Sequence, residues 1–371
     1  MSLQMGIVGL PNVGKSTLFN ALTSAGAAAA NYPFCTIEPN VGRVNVPDAR
    51  LDTLARLVKP RDNNVVPTWM EFVDIAGLVR GASKGEGLGN QFLGKIREVD
   101  AIGMVVRCFH DSNVTHVEGG VDPVRDIETI NTELALSDLT TVERVLANAQ
   151  RSAKSGDKRL IAEAGFLERL RDHLDAGRMV RSFGSTAEEE RATLGELHLL
   201  TAKPVLYIAN LDEGDLATLE TITPPLLARV RDYAAAEGAS VIPVSAKLEA
   251  ELSELDEDDA RAYMEELGLS EGSLGRMIHA GYDLLGLITF LTAGEPEVRA
   301  WTITRGTKAP GAAGKIHSDI ERGFIRAEVT SFEHFVACGS ATAARERGLT
   351  RIEGKDYVMQ DGDVVYFRFA V

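Results

Sequence analysis

Cysteine is scarce in this sequence. The 371 residues contain three cysteines, Cys35, Cys108 and Cys338, and long stretches of chain separate them. Thiols so few and so widely spaced do not form the disulfide framework of a small secreted domain or the ligand set of a zinc knuckle. We therefore expect a protein of a reducing compartment.

Long apolar runs are also absent. No segment reaches the roughly 18 apolar residues that a membrane-spanning helix needs. The first nine residues carry neither a basic flank nor a long apolar stretch, so they lack the pattern of a secretion signal. The sequence thus predicts a cytoplasmic protein that is not secreted and has no membrane partner.

Positive charge is in short supply. Lysine and arginine number 39 against 54 aspartate and glutamate residues, which gives a formal net charge of −15. Net charge therefore does not draw the chain to nucleic acid, and such a partner must meet a local basic surface. Residues 144–181 are one basic segment, with nine basic and five acidic side chains. An ordinary solvated helix face and a contact with RNA phosphates both fit that pattern.

The length of the chain predicts two or three domains. Hydrophobic residues make up 44% and charged residues 25%, which is typical of a globular protein. In the first half, apolar strand-like runs alternate with helical segments, a pattern that predicts an α/β fold with a parallel sheet covered by helices. These runs are residues 3–8, 69–74, 101–107, 204–210 and 240–244.

The third and fourth runs are separated by about 95 residues, far more than an ordinary crossover needs. In that interval apolar residues recur at helical spacing, which predicts two long helices packed as a hairpin. After residue 286, short β-rich runs surround turns rich in glycine and proline and predict a small α+β domain. The predicted domains are residues 1–121 with 203–286, residues 122–202, and residues 287–371.

The strongest local motif is Gly9-Leu-Pro-Asn-Val-Gly14-Lys15-Ser16-Thr17, between a strand-like run and a helical one. In such a turn, successive backbone N–H groups and the following helix N-terminus converge on phosphate oxygens. Lys15 would supply a cation to the β- and γ-phosphates, which gives it a catalytic role, and the Ser16 hydroxyl would bind Mg²⁺. The residues predicted here to bind nucleotide are Asn12, Val13, Gly14, Lys15, Ser16 and Thr17.

A second motif, Asp74-Ile-Ala-Gly77, ends the run at residues 69–74. A carboxylate at the end of a strand can hold the Mg²⁺ shell, and a glycine N–H can contact a γ-phosphate. We therefore predict Asp74 as a metal ligand and Gly77 as a nucleotide contact.

Two more motifs end the last two runs, where an α/β sheet presents its ligand-binding edge. One is Asn-Leu-Asp-Glu at residues 210–213, and the other is Ser-Ala-Lys at residues 245–247. The first is similar to the base-reading Asn-Lys-x-Asp of G proteins, with leucine and glutamate at the second and fourth positions. A polar turn at a strand end is the alternative interpretation. The residues predicted to surround the base are Asn210, Leu211, Glu213, Ser245 and Ala246.

Together with the order of these motifs, three stretches give the chain a family resemblance. They are Tyr-Pro-Phe-Cys-Thr-Ile-Glu-Pro-Asn at residues 32–40, Asp-Ile-Ala-Gly-Leu-Val-Arg-Gly-Ala-Ser at 74–83, and residues 314–326. Over essentially its whole length the chain resembles the YchF-type Obg-like ATPases. The resemblance implies a P-loop NTPase domain of the Ras-like G type, interrupted by an α-helical coiled-coil domain and followed by a C-terminal α+β TGS domain.

The resemblance also implies roles for single residues. Thr36 would join Ser16 on Mg²⁺, and Leu78 stands where other G proteins place the glutamine that orients the attacking water. The altered motif at residues 210–213 resembles the family's Asn-x-x-Glu, which is associated with a preference for ATP over GTP. Without that glutamine hydrolysis should be slow, and His116 is the candidate to orient the water, ahead of His110.

The function implied by the resemblance is a slow ATPase that acts as a switch on the ribosome or ribosomal RNA. Sequence supports such a partner only through the local basic segment, and no DNA partner is expected. A monomer is the default for a self-contained G domain. Two alternatives remain open, a GTPase and a nucleotide-dependent binding module in which hydrolysis is incidental.

Overall fold

The computed structural model describes residues 3–28, 40–76, 88–111, 120–185, 187–269 and 272–370. The strands within these ranges are β1 (Gln4–Val8), β2 (Val41–Asn45), β3 (Val65–Val66), β4 (Trp69–Asp74), β5 (Ala101–Arg107), β6 (Val205–Asn210), β7 (Ser240–Val244), β8 (Leu287–Ala293), β9 (Val298–Thr304), β10 (Phe324–Ser331), β11 (Arg351–Glu353) and β12 (Asp363–Phe369).

The helices of the same ranges include none that is long and apolar enough to cross a membrane. They are α1 (Lys15–Ala28), α2 (Ala49–Val58), α3 (Leu88–Glu98), α4 (Pro123–Ala153), α5 (Lys158–Asp175), α6 (Glu188–Leu197), α7 (Glu213–Ala217), α8 (Pro225–Glu237), α9 (Ala246–Leu252), α10 (Glu257–Glu266), α11 (Ser273–Leu284), α12 (Ala309–Ile316), α13 (Ser318–Arg322), α14 (Phe332–Cys338) and α15 (Ala341–Glu346). Short 3₁₀ turns occur at Arg61–Asn63, Val180–Ser182 and Leu200–Ala202.

The first sheet has the strand order β2-β4-β1-β5-β6-β7. From β4 to β7 neighbouring strands pair in parallel, so their carboxyl ends lie at one edge of the sheet. Strands β5 and β6 are buried along their whole length, which explains why they are apolar in the sequence up to their last residues, Arg107 and Asn210. The five strand-like runs and the α/β class predicted from them are confirmed.

The long interval after β5 contains the predicted helical hairpin. The side chain of Asp122 accepts a hydrogen bond from the backbone N–H of Arg125 and caps α4, whose first residue is Pro123. Asp157 caps α5 in the same way. The two helices share a buried core with the turn at 180–182, formed by Ala135, Val142, Leu146, Phe166, Leu167, Leu170, Leu174, Met179, Val180 and Leu199. The hairpin is therefore confirmed.

A second sheet has the order β11-β10-β12-β8-β9-β3. Most of its pairs are antiparallel, whereas β12 with β8 and β3 with β9 are parallel. Helix α12 packs through Ala309, Ala312 and Ala313 on an aromatic core that includes Phe290 and Phe367. The mixture of strands and short helices expected after residue 286 is thus observed.

The chain divides into two compact units, Met1–Gly42 with Glu71–Gly281, and Arg43–Met70 with Tyr282–Val371. Residues 43–70 fall within the first of the predicted domains, yet they pack with the C-terminal strands. Val65 pairs with Val298, and Leu51 and Leu54 of α2 belong to a buried cluster with Leu291. The apolar side of α2 is covered by residues distant in sequence, which no local pattern specifies. The three-part division of the chain stays a prediction.

Candidate nucleotide-binding site

The loop between β1 and α1 has an unusual backbone. Asn12 and Gly14 have positive φ angles of 64° and 90°, a region that favours glycine and tolerates asparagine. A Cβ on Gly9 would approach the carbonyl oxygen of Val105 to 2.9 Å, and a Cβ on Gly14 would overlap the side-chain amide of Asn210. The two glycines of the motif therefore allow close approach of backbone and side chains as well as a tight turn.

Lys15 is the first residue of α1 and is buried. Its ammonium forms an ion pair with the carboxylate of Asp74, the last residue of β4. Because Asp74 lies opposite Ile7 of β1, the lysine and the carboxylate meet at the carboxyl edge of the sheet. Ser16 and Thr17 are exposed in the first turn of the same helix, where free N–H groups favour an anion.

Asn210, the last residue of β6, connects the loop before α1 to the loop after β7. Its side chain is buried, and Nδ2 donates to the carbonyl oxygen of Val13 over 2.9 Å. Its Oδ1 accepts a hydrogen bond from the backbone N–H of Ala246, also over 2.9 Å. An amide has two donors and two acceptor lone pairs, so these two bonds leave capacity for a ligand. Asn210 thus has a structural role that its motif alone does not indicate.

Glu213 begins α7, and its Oε1 lies 2.7 Å from Nζ of Lys247. The hydrogen bond with Glu213 raises the pKa of Lys247, and Glu251 at 3.7 Å contributes in the same direction. Ser245 caps α9 by accepting a hydrogen bond from the N–H of Leu248. The glutamate of the altered motif is therefore ion-paired with the lysine of the Ser-Ala-Lys motif.

A cavity of about 520 Å³ opens among these loops. Eight of the residues predicted to bind nucleotide line it, whereas Val13, Lys15 and Ser16 lie in the adjoining loop and helix start and do not line it. The eight are Asn12, Gly14, Thr17, Asn210, Leu211, Glu213, Ser245 and Ala246. Motifs separated by about 200 residues of sequence thus meet in one place, as the edge of a parallel sheet predicts.

Asp212 and Lys247 lie within the two later motifs, and His110 is the second candidate to orient water, but the sequence analysis predicted none of them to bind nucleotide. The lining residues without such a prediction are Phe109, His110, Asp111, Asp212 and Lys247. The first three follow β5 directly, so the rule that ligands bind at the carboxyl ends of strands could have found them.

Arg107, the last residue of β5, holds that loop. It is 2% exposed, and it donates to the carbonyl oxygens of Phe109 and Asp111 over 3.3 Å each. Its guanidinium carbon lies 4.5 Å from the centroid of the Phe109 ring. A buried charge thus fixes one wall of the cavity.

The thiol next to this arginine is inert. Cys108 is buried, and burial raises the pKa of its thiol to about 12. It therefore stays protonated at neutral pH and has the packing role of a small apolar side chain.

Several predicted residues lie outside the described ranges. They are Thr36, Gly77, Leu78 and His116. Their roles in metal binding, phosphate contact and hydrolysis stay predictions.

Two family models match the chain. A model described as 50S ribosome-binding GTPase matches residues 4–145, which include the loop before α1 and Asp74. A C-terminal model of YchF GTPases, described as a protein of unknown function, matches residues 287–370.

Similar proteins cover the whole chain. The ribosome-binding ATPase YchF of Bacillus subtilis (strain 168) is 54% identical, and that of Escherichia coli O157:H7 is 56% identical, each over 100% of both chains. The solved structure of the Schizosaccharomyces pombe YchF GTPase has a TM-score of 0.88 at 38% identity and covers 99% of this chain and 98% of its own. With a P-loop at the carboxyl edge of a parallel sheet and relatives of this similarity along its full length, the chain belongs to the YchF family of P-loop NTPases.

Proposed function

We propose that this chain is a Mg²⁺-dependent ATPase with a low intrinsic rate, which works as a cytoplasmic switch that associates with the ribosome. The observation that carries the proposal is the convergence of Lys15, Asp74 and Asn210 at one sheet edge beside the cavity. Relatives named ribosome-binding ATPase, 54% and 56% identical, support the substrate and the partner.

The phosphates would lie against the loop of residues 9–14 and the first turn of α1. Lys15 would contact the β- and γ-phosphates, and its ion pair with Asp74 keeps the ammonium at the sheet edge. Backbone N–H groups of the loop and the helix start would stabilise the charge that develops on the γ-phosphate during attack by water. Lys15 would thus bind substrate and stabilise the transition state.

Mg²⁺ fits the donors that are present. Ser16 and Asp74 offer a hydroxyl and a carboxylate, the oxygen ligands that this ion prefers, and Thr36 would add a second hydroxyl. Among the described residues, no group of three or more histidine, cysteine or acidic side chains could hold a metal ion without other ligands. The bound ion would therefore depend on phosphate oxygens, whose charge it would neutralise.

The base site favours adenine. A G protein reads guanine through a carboxylate that accepts from N1–H and the exocyclic amine, and adenine has no such pair of donors at that edge. Here the carboxylate belongs to Glu213 and is ion-paired with Lys247 over 2.7 Å. Asn210 can both donate to N7 of adenine and accept from its 6-amino group. We therefore expect ATP to bind more tightly than GTP.

Hydrolysis would be slow because Leu78 cannot orient water. His116 would do so in its place, or a partner that orders the surrounding segments would complete the site, as activating proteins do for other NTPases. The nucleotide would then act mainly through the conformation of those segments. The helical hairpin would form the coiled-coil domain, and it would contact the ribosome together with the C-terminal TGS domain. The chain would act as a monomer.

A GTPase is the second candidate function. The match of residues 4–145 to the model of a 50S ribosome-binding GTPase favours it. That match ends before residues 210–213 and 245–247, however, so it includes neither of the motifs that would contact the base.

Calorimetry tests the proposal. Nucleotide-free protein is titrated with ATP and with GTP in one Mg²⁺ buffer, and phosphate release is measured alongside. We expect tighter binding of ATP, weaker binding of both nucleotides by Asn210→Ala, and turnover that is lost in EDTA or in Lys15→Ala. GTP binding at least tenfold tighter than ATP, about 1.4 kcal/mol, would return the chain to the GTPases.

Lys247→Ala tests the base site in the same titration. Loss of the ion pair leaves the carboxylate of Glu213 free to accept hydrogen bonds from guanine. The affinity for GTP should therefore rise relative to the affinity for ATP. Glu251→Gln is the matched control, since it removes the more distant partner of Lys247 and keeps the 2.7 Å pair. An unchanged ratio of ATP to GTP affinity in Lys247→Ala would show that the pair does not exclude guanine.

A further inference from the structure

The second sheet has one face that is only partly covered. Helices α2 and α14 pack there against Leu291 and Val364. Because side chains alternate along a strand, Tyr366 and Arg368 of β12 lie on the same face as Val364, farther along the strand. Tyr366 is 58% exposed, so this end of the face carries an aromatic ring in contact with solvent.

Cross-strand pairing arranges the uncovered end in two rows. Glu328 of β10 lies between Ile352 of β11 and Tyr366 of β12. In the adjacent row, Arg326 is opposite Arg368. Ile352 is 65% exposed, so the first row places two large apolar side chains at the surface on either side of a carboxylate.

Glu328 is the unusual member of the first row, because only 8% of it is exposed on an otherwise open surface. Arg345 of α15 donates to its Oε2 over 2.5 Å, and Arg368 donates through Nε to its Oε1 over 2.8 Å. The hydrogen bond from Arg368 is the largest effect that lowers the pKa of Glu328. The carboxylate therefore stays ionised at neutral pH and holds two guanidinium groups at the surface.

Arg368 also stacks on its neighbour. Its guanidinium carbon lies 4.4 Å from the centroid of the Tyr366 ring. Each arginine has five N–H donors and uses one of them on Glu328, so several remain to bind phosphate oxygens. With Arg326 nearby, three arginines and one glutamate give this surface a net charge of +2 in a chain of −15.

We call this surface the open sheet face. Its members are Arg326, Glu328, Arg345, Ile352, Tyr366 and Arg368.

We propose that the open sheet face binds single-stranded RNA. Unstacked bases would stack on the ring of Tyr366 and the guanidinium of Arg368, with Ile352 as an apolar neighbour, and the arginines would contact phosphates. Exposed aromatic and arginine side chains on a flat sheet suit splayed bases, whereas a paired duplex hides its base faces. The choice of RNA rests on the proposed association with the ribosome and assigns that contact to a defined surface.

The test uses the full chain and a fluorescein-labelled single-stranded RNA of 12 nucleotides of mixed sequence, with binding followed by fluorescence anisotropy. Tyr366→Ala should weaken binding about tenfold, because it removes the aromatic ring on which a base would stack. Tyr366→Phe keeps the ring and should bind as the unmodified chain does. Since Tyr366 is largely exposed, its removal should leave the thermal unfolding midpoint unchanged.

Arg322→Ala is the matched control for charge. Arg322 is also exposed and ion-paired, with Asp319, but it ends α13, whose Ile320 packs on the core that contains Phe290 and Phe367. This core covers the opposite side of the sheet. We expect Arg322→Ala to bind RNA normally and Arg326→Ala to bind it several-fold more weakly.

Three results would overturn the inference: no RNA binding by the unmodified chain, equal binding by Tyr366→Ala, or tighter binding to a 12-base-pair RNA duplex. Displacement of the RNA by polyglutamate at equal charge would indicate an acidic protein partner instead. ATP titration and sedimentation with ribosomes, run on the same preparations, separate this inference from the proposed function. If Tyr366→Ala still binds ATP and ribosomes, and neither the unmodified chain nor any variant binds the RNA, the open sheet face is not an RNA-binding surface. The proposed function would be unaffected by that result.

Discussion

Gly14 has two independent reasons to be glycine. Its φ of 90° is unfavourable for any side chain with a Cβ, and a Cβ at this position would overlap the amide of Asn210. That amide holds both Val13 and Ala246. A substitution at Gly14 would therefore disturb the loop before α1 and the loop after β7 together.

We accordingly expect Gly14→Ala to lower nucleotide affinity at least about fivefold, since a strained backbone of this kind costs about 1–3 kcal/mol. Calorimetry with ATP measures the effect. Gly94→Ala in α3 is the control, because a Cβ there meets no atom within 4 Å and alanine favours the helix. Equal ATP affinity in the two variants would refute this explanation of Gly14.

At the same scale, the sequence predicted those site residues that belong to contiguous motifs. The order Gly-x-x-x-x-Gly-Lys-Ser carries its own chemistry, so Asn12, Gly14 and Thr17 were identified before any contact was known. Phe109 depends on the buried charge of Arg107 beneath it, and this contact follows from the fold. A contiguous motif can be recognised in the sequence, whereas a pocket wall that depends on tertiary packing has no local sequence pattern.

At the scale of elements, the strands of the first sheet and the helical hairpin were predictable because their burial repeats over short distances. Strand β5 is apolar up to its last residue, Arg107, because helices cover both faces of a parallel sheet. Strand β3 was not predictable, since it has two residues and pairs Val65 with Val298, more than 200 positions away. Pairing at such separation depends on the whole fold.

The junction between the hairpin and the first sheet depends on one buried carboxylate. Asp138 of α4 is 1% exposed and accepts from the N–H groups of Leu200 and Thr201 over 2.9 and 2.7 Å, and from the Thr201 hydroxyl over 2.8 Å. These bonds fix the 3₁₀ turn that leads into β6, which ends at Asn210. Strand β6, which ends at the proposed base-binding residue Asn210, is thus anchored at its start by the helical hairpin.

Asp138→Asn should destabilise that junction by about 2–3 kcal/mol, because an amide group then faces donors that were bonded to a charge. Hydrogen exchange measures it locally, and the amides of Leu200 and Thr201 should exchange at least about tenfold faster. Glu143→Gln, an exposed change on the same helix, should leave them unchanged. Unchanged protection at Leu200 in Asp138→Asn would mean that packing alone holds the turn.

At the scale of the whole molecule, the net charge of −15 means that RNA must bind at a local basic surface. The salt dependence of RNA binding can identify which surface that is. When the logarithm of the binding constant for single-stranded nucleic acid is plotted against the logarithm of the salt concentration, the slope is about −0.7 for each phosphate contact. The open sheet face offers three arginines, whereas residues 144–181 carry nine basic side chains. The two candidate surfaces therefore differ in the slope that they predict, about −2 for the sheet and up to about −6 for the helical segment.

We expect a slope of about −2 for the 12-nucleotide RNA between 50 and 200 mM KCl, roughly as three contacts require, and a flatter slope, by about 0.7, for Arg326→Ala. Lys158→Ala, in the helical segment, is the control and should leave the slope as it was. A slope near −6 that falls in Lys158→Ala would move RNA binding to the hairpin. The rest of the surface is acidic and repels RNA, so only the local basic side chains contact phosphates. The slope therefore reports the number of these contacts and not the net charge of the chain.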